Sequence, residues 1–346
     1  MGAPSTRLRG VSRAVRIGAA ALGPLAAALG ILAILAIACG SSYDGAPDEA
    51  DAGEDTSRAR DTSVKDTAPK PDVDGDSPTT CDPAQPFTNV GPVAGKINGG
   101  TDDAFPTLTD DELTMYFQRS PLNGGSARFF VSVRPSLGAD FGEPVEVTEL
   151  NNGAFNSYPA VSPSGDVIFF TSAPTASAKS DLMMATRGAM GRFNPPTPVA
   201  ALNTASDDEA FPSVFGRGEE LWFGSNAGGG VFHLQRSVRL PAGTFTAPQP
   251  ITEIRDPVAG EGTSASTRDG LAVYFSSSRD GGQGGLDVWL ARRQARSAPF
   301  NFVAVVATAS SSDNDAPAWV SADSCRLYFT STRLGTLKVF VASRRP

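Results

Sequence analysis

Histidine is almost absent from the sequence, and this excludes several kinds of chemistry. The 346 residues include a single histidine, His233. A catalytic Ser-His-Asp triad would depend on that one residue, and a histidine-rich metal site cannot be assembled. We interpret His233 as an ordinary strand residue.

Positive charge is also scarce. The chain carries 29 basic residues against 37 acidic ones, for a net charge of −8. Proteins that bind nucleic acid neutralise phosphates with Lys and Arg, so this balance argues against a nucleic-acid partner. Glycine (36 residues) and proline (27) are abundant, which is typical of many short strands joined by turns.

The N-terminus has the order of a secretory signal. Four arginines come first, and an apolar run at residues 17–38 follows with no acid before Cys39. Ala38 next to Cys39 resembles the bacterial lipobox, whose Cys is lipid-modified after cleavage. We predict a signal peptide over residues 1–38 and lipidation of Cys39. The alternative is an uncleaved spanning helix, because a run of this length can cross a bilayer.

The segment after Cys39 is acidic and poor in large apolar residues. Residues 40–80 hold eleven acids and four bases. Such a composition cannot bury enough surface to offset ordering entropy, so we predict a disordered tether over residues 39–80. The protein is then expected outside the cytoplasm, anchored by lipid to a bacterial membrane and facing the periplasm or the cell surface.

A sequence repeat fills most of the remaining chain. The second strand of each copy ends in an aromatic residue, at Phe117, Phe170, Phe223, Phe275 and Phe329. The spacings are 53, 53, 52 and 54 residues. A period of about 50 residues built from short strands is typical of a propeller or solenoid. Each copy contains a tight turn, a Gly/Ser-rich loop and a fourth strand that usually contains proline.

The fifth copy ends at Pro346 without a fourth strand, and the missing strand stands at the other end of the repeat region. "PFTNVGPVAGKIN" (86–98) has the Phe, Pro-Val and Ile pattern of the other fourth strands. We therefore predict an all-β, five-bladed β-propeller over residues 81–346, with the N-terminal strand completing the last blade and closing the ring.

Two copies carry a family resemblance. "FSSSRDGGQGGLDVWLARR" (275–293) and "DAPAWVSADSCRLYFTSTR" (315–333) resemble the TolB-like, WD-type propeller repeat of bacterial envelope proteins. The resemblance covers about 250 residues and implies a propeller fold. For function it implies only that protein or cell-wall partners are expected, since propellers include both binding proteins and enzymes.

Ring closure also makes a prediction about the two cysteines that remain. Cys81 precedes the closing strand and Cys325 opens the second strand of the last copy, so both belong to one blade. We predict a Cys81–Cys325 disulfide, which an oxidising envelope compartment permits. The alternative is two free buried thiols.

Acidic residues recur where each outer strand passes to the next inner strand, a point that lies on one face of a propeller. They are Asp102, Asp103, Asp207, Asp208, Glu209, Glu261, Asp313 and Asp315. We predict that they form a rim for an envelope protein or cell-wall component on a non-catalytic, monomeric platform. The alternatives are that these acids cap turns, or that Asp103, Asp208 and Glu261 act as in five-bladed arabinanase-type glycosidases. Carboxylate oxygens would also suit Ca²⁺ at the channel mouth.

Two further repeated positions have structural interpretations. Arginines end the third strands and are expected to bind turn carbonyls or neighbouring blades; they are Arg134, Arg187, Arg239, Arg292 and Arg344. Aromatic residues precede the strand-closing Phe and are expected to pack between blades; they are Tyr116, Phe169, Trp222, Tyr274 and Tyr328.

Overall fold

The computed structural model describes residues 81–345, apart from residues 101, 121–125, 152–154, 176 and 229. The predicted signal peptide, the lipidation of Cys39 and the tether lie outside the described residues. Within them, no helix is long and apolar enough to span a membrane.

The described chain forms twenty β-strands and two single-turn 3₁₀ helices, at Ala189–Gly191 and Thr252–Ile254. In chain order the strands are β1 (Asn89–Pro92), β2 (Asp102–Leu108), β3 (Thr114–Ser120), β4 (Arg128–Val133), β5 (Val145–Glu146), β6 (Phe155–Val161), β7 (Val167–Ala173), β8 (Asp181–Thr186), β9 (Thr197–Pro198), β10 (Glu209–Phe215), β11 (Glu220–Ser225), β12 (His233–Val238), β13 (Gln249–Pro250), β14 (Ser264–Ser266), β15 (Ala272–Ser277), β16 (Asp287–Arg292), β17 (Phe302–Val305), β18 (Asp315–Val320), β19 (Arg326–Ser331) and β20 (Lys338–Ser343).

These strands form five antiparallel sheets of four strands, and the predicted five-bladed propeller is confirmed. Blades one to four are β2–β5, β6–β9, β10–β13 and β14–β17, each in chain order from the inner to the outer strand. Blade five has the order β18-β19-β20-β1. We call the side where an outer strand passes to the next inner strand the crossover face. The opposite side, with the turns between first and second strands, is the hairpin face.

The outer strand of blade five comes from the beginning of the described chain. β1 pairs antiparallel with β20, with Asn89 opposite Ser343 and Pro92 opposite Phe340. Side chains join blades one and five at the same junction. Glu112 of blade one accepts a hydrogen bond from Nε of Arg326 at 2.7 Å and one from the hydroxyl of Tyr328 at 3.2 Å. Burial raises the pKa of Tyr328 to about 12.

The core is divided among the blade interfaces. Five of the six apolar clusters each combine residues of two consecutive blades, and the sixth fills the channel. The five aromatics that precede the strand-closing Phe belong one to each interface cluster, so the prediction that they pack between blades is confirmed. Alternation of side chains across the pleated strands turns these positions toward a neighbouring blade.

The predicted role of the repeated arginines is confirmed in blades one, two and five and needs a correction in blade four, while in blade three the side chain of Arg239 makes no such contact with the described residues. Arg134, Arg187 and Arg344 each donate from Nε to a backbone carbonyl, at 2.8, 2.9 and 2.6 Å, and each stacks on an aromatic ring. In blade four the equivalent residue is Arg293, whose Nε donates to Gly270 at 2.8 Å, and not Arg292, which is the last residue of β16. The third strand of that copy ends in Arg292 and is followed directly by Arg293, and spacing alone selected the wrong one of the two.

Candidate functional site

The channel is closed near the crossover face by aromatic side chains of three consecutive inner strands. Phe105, Tyr158 and Phe211 lie in series, with ring centroids 4.2 and 4.6 Å apart. All three have a positive φ, between 52° and 58°, and in each case the register of the inner strand shifts at this point. The bulge turns the ring into the channel instead of toward a neighbouring blade.

The bulge frees a backbone amide from the ladder, and the preceding blade provides its acceptor. The amide of Phe105 donates to the hydroxyl of Thr330 at 2.7 Å, and that of Phe211 to the hydroxyl of Thr171 at 3.1 Å. Blade four has Thr263 in place of the aromatic residue. The acceptor position of the blade before it is Gly224, which has no side chain to accept a hydrogen bond.

Little space remains inside the ring. Beside the aromatic residues is a cavity of about 10 Å³, and the hairpin-face half of the channel holds about 40 Å³. The mouth of that half is crossed by an ion pair between Asp110 of blade one and Arg268 of blade four, which are not adjacent blades. Small-molecule sites in proteins have volumes of about 300–1,000 Å³, so the channel has no room for a sugar chain.

Four of the eight acids predicted to form an exposed rim are buried, and the prediction is wrong for them. Asp103, Glu209, Glu261 and Asp315 are at most 1% exposed. They occupy equivalent positions at the start of the inner strands, where blade two has Asn156, which is also buried. Side chains enclosed to this degree cannot contact a partner.

Three of the four buried acids are neutralised by arginine. The ion-pair distances are 2.6 Å for Asp103–Arg119, 2.8 Å for Glu261–Arg279 and 2.7 Å for Asp315–Arg333. Each of these arginines also lies over two aromatic rings. The repeated acid therefore links the inner strand to the end of the second strand within each of these blades. A signal for this pairing is present in the sequence, because all three copies have an arginine two or four residues after the strand-closing Phe.

Glu261 has a second partner that the sequence did not reveal. Nδ1 of His233 lies 2.9 Å from Oε2 of Glu261, and the amide of Asp256 donates to Oε1 at 2.6 Å. Burial raises the pKa of Glu261. His233 is in a strand, as predicted, but it also joins blade three to blade four through this carboxylate.

Two of the other predicted rim acids are also tied to the fold. Asp102 accepts the amide of Leu337 at 2.9 Å, and Asp208 accepts that of Ser180 at 2.9 Å. In both cases the carboxylate holds the third strand of the preceding blade, which is the capping role left open as an alternative. Asp313 is exposed.

An acidic patch remains accessible on the crossover face at the junction of blades two and three. Asp181, Asp207 and Asp208 are half-buried there, and Nζ of Lys179 lies 3.0 Å from Asp208. Burial, and then the nearby Asp208, raise the pKa of Asp181. Burial alone would raise the pKa of Asp208, but hydrogen bonds from Ser180, Lys179 and Asn226 outweigh it and lower the pKa. Asp181 was not among the predicted residues, because it begins a third strand. The predicted acids all lie where an outer strand passes to the next inner strand.

Across the side chains that the structure describes, no group of three or more His, Cys, Asp or Glu is arranged to hold a metal ion. The structure therefore gives no ligand set for a calcium ion at the channel mouth.

Comparisons with known proteins give only remote structural similarity. No family model and no curated protein matches the sequence. TolB from Acinetobacter baumannii is 13% identical with a TM-score of 0.41, over 70% of this chain and 55% of its own. A GH62 α-L-arabinofuranosidase of Coprinopsis cinerea is 7% identical with a TM-score of 0.47, over 73% of this chain and 95% of its own.

A thermostable family-43 glycoside hydrolase is 13% identical with a TM-score of 0.47, over 72% of this chain and 91% of its own. Of the Acinetobacter TolB protein, this chain spans only about half the length. The neighbours include both TolB proteins and glycoside hydrolases, and similarities this weak support no argument about function.

Proposed function

We propose that this chain is a non-catalytic binding module of the bacterial envelope, whose crossover face receives a basic region of an envelope protein or cell-wall component. The proposal is carried by the acidic patch of Asp181, Asp207 and Asp208. These carboxylates are accessible. The four acids at the start of the inner strands, in contrast, are enclosed. Net negative charge on an accessible face attracts a cationic partner and steers its approach.

A binding role fits the channel better than glycoside hydrolysis does. A glycosidase needs two carboxyl groups that flank the bond to be cleaved. Asp103 and Glu261 are at most 1% exposed and are bound to Arg119 and Arg279, so neither reaches a substrate. The buried acids hold strands together within the blades. Binding of a macromolecule would therefore use the outer surface of the propeller.

The location of the module rests on the sequence. Cys39 is proposed to carry the lipid, and residues 40–80 to separate the propeller from the membrane surface. A single acyl chain holds a protein only weakly, so firm anchoring requires more than one chain on the modified cysteine. Metabolic labelling with a fatty acid, lost in Cys39→Ala, tests this part separately from binding.

Neutralising the patch tests the binding site. The full chain is immobilised and incubated with envelope extract, and captured proteins and cell-wall fragments are compared between the wild type and Asp181→Asn/Asp207→Asn/Asp208→Asn. The control variant neutralises Asp140, Glu143 and Asp166, three exposed acids toward the hairpin face, and so makes the same change in net charge. We expect capture to be lost only in the patch variant and to weaken with salt.

Equal capture by the patch and control variants would count against the crossover face as the binding site. Release of sugar from arabinan or xylan oligomers, lost in Asp103→Asn and Asp208→Asn, would replace the binding proposal with the glycosidase alternative.

A further inference from the structure

The outer strand of blade four differs from the other four outer strands. β1, β9 and β13 contain proline, and β5 directly follows Pro144. Proline on an edge strand blocks the addition of another strand, because it lacks an N–H donor. β17 has the sequence Phe-Val-Ala-Val and no proline within or immediately beside it.

The free edge of β17 faces solvent. The amide of Val306 donates to the carbonyl of Val288 at 2.7 Å, and Ala304 lies opposite Leu290 in the same ladder. Hydrogen bonding alternates along an antiparallel strand, so the amides of Val303 and Val305 point away from β16. Phe302 is 51% exposed and Val303 37% exposed. An apolar strand with an open hydrogen-bonding edge is a template for pairing.

A groove of about 370 Å³ runs beside this edge, between blade four and the segment that leads into β1. Its blade-four wall includes Leu290, Phe302 and Ala304, and its other wall includes Pro86 and Phe87. The volume falls at the lower end of the range for ligand sites and accommodates a few side chains.

One cation in this apolar groove has no partner among the described residues. Arg292 lines the groove, and among residues 81–345, outside the gaps, its guanidinium has no hydrogen bond or ion pair. Arg344, which also lines the groove, is bound by the hydroxyl of Tyr274 at 2.8 Å and by the carbonyl of Gln85. A guanidinium beside apolar surface is suited to a carboxylate, which it can bind through two parallel hydrogen bonds.

We propose that β17 and this groove bind an extended segment of a partner protein, which adds a fifth strand to blade four. Its backbone pairs with Val303 and Val305, alternate apolar side chains enter the groove, and one carboxylate binds Arg292. A second copy of β17 is a poorer occupant, because residues 301–308 contain no acid to meet Arg292. This surface is on the side of the ring and is independent of the crossover-face patch.

A library of linear peptides displayed on phage serves as the probe. It is selected on the full chain after depletion against Val303→Pro, which removes an outward amide without removing a bond to β16. Glu146→Pro, in the outer strand of blade one, is the matched control, because the amide of Val147 donates to Phe129 and the amide of Glu146 therefore points away from β4. We expect enriched peptides with alternate apolar residues and one acid, and we expect them to bind Glu146→Pro as they bind the wild type.

A second variant keeps the test independent of folding defects in Val303→Pro. Arg292→Gln is expected to weaken an enriched acidic peptide about tenfold, in line with the loss of a hydrogen bond to a charged group, and to leave the Asp-to-Asn version of that peptide unchanged. Hydrogen exchange at the amides of Val303 and Val305 should slow when the peptide binds.

Three results would overturn the proposal. The first is the absence of any peptide that distinguishes the wild type from Val303→Pro. The second is a concentration-dependent dimer that Val303→Pro dissociates, which would make a second copy the occupant. The third is peptide binding that appears only after residues 40–80 are removed, which would make the chain's own acidic segment the occupant.

Discussion

A disulfide bond joins Cys81 to Cys325, which stand 244 residues apart in the chain. Cys81 is the first described residue and precedes β1, and Cys325 stands directly before β19 of the same blade. The bond therefore fastens the segment that leads into the outermost strand of blade five to the hairpin between its first two strands. Arg344 supports the same segment, because its Nε donates to the carbonyl of Gln85 at 2.6 Å.

Removing this bond should destabilise the propeller. A cross-link across so long a loop restricts the unfolded chain and contributes up to about 5 kcal/mol to the free energy of unfolding. We expect Cys81→Ser and Cys325→Ser to lower that free energy by similar amounts, in urea unfolding under oxidising conditions.

The double variant provides the internal control. Because only one bond is lost, Cys81→Ser/Cys325→Ser should be no less stable than either single variant. A double variant whose loss equals the sum of the two single losses would mean that each cysteine acts separately.

The buried ion pair of blade five makes a second prediction. Asp315 is fully buried, and its Oδ1 lies 2.7 Å from Nη2 of Arg333. Arg333→Met leaves that carboxylate uncompensated and should lower the free energy of unfolding by about 3–5 kcal/mol. Asp315→Asn/Arg333→Met should recover part of the loss, because no buried charge is left alone.

An exposed ion pair on the same protein is the comparison. Lys96 and Glu143 are 3.3 Å apart, with side chains 64% and 76% exposed. Lys96→Met should change stability by no more than about 1 kcal/mol, because solvent already screens the pair. Equal effects of Lys96→Met and Arg333→Met would contradict the importance given to burial.

Much of the fold could be predicted because the repeat fixes its periodicity. Phe117 and the four residues equivalent to it recur at nearly constant spacing and are all buried, so counting them gave the number of blades. The position of an individual side chain was harder to predict when two neighbours were chemically alike. Arg292 and Arg293 are adjacent and identical, and only their contacts show which one stacks on Phe300.

The candidate site was less predictable, because burial of a charge depends on a partner elsewhere in the fold. Asp103 and Asp207 look alike in sequence, yet the first is enclosed by Arg119 while the second is half-buried. The free edge of β17 was also missed as a site. The other four outer strands have a proline within them or directly before them, and β17 has neither, a contrast that becomes visible only when the limits of all five outer strands are known.

The loop before blade four should make stability depend on pH. Hydrogen bonds from the amides of Ala259 and Val258 to the Asp256 carboxylate, at 2.8 and 2.9 Å, lower its pKa below the ordinary value of 3.8. A group whose pKa is lower in the folded state contributes stability that is fully present above its unfolded pKa and is lost as the pH falls through the folded pKa.

Asp256→Asn should therefore cost about 1 kcal/mol at neutral pH, and the difference from the wild type should shrink as the pH falls below 3.8. Urea unfolding of both proteins between neutral and strongly acidic pH measures this difference. A constant difference across that range would show that the carboxylate's charge is not what holds the loop.

The hydroxyl of Thr171 should stabilise the bulge that places Phe211 in the channel. It accepts the amide of Phe211 at 3.1 Å, and that amide is freed from the ladder where the register shifts after Ala210. Thr171→Val keeps the shape of the side chain but leaves a buried N–H without its acceptor, which costs about 1–3 kcal/mol. Thr263→Val is the control, because the hydroxyl of Thr263 donates to that of Ser276 at 3.3 Å and accepts no amide of the described residues. Thermal and urea unfolding of the two variants should rank Thr171→Val as clearly less stable. The reverse order would mean that packing of the ring alone maintains the left-handed backbone at Phe211, and that this hydrogen bond does not.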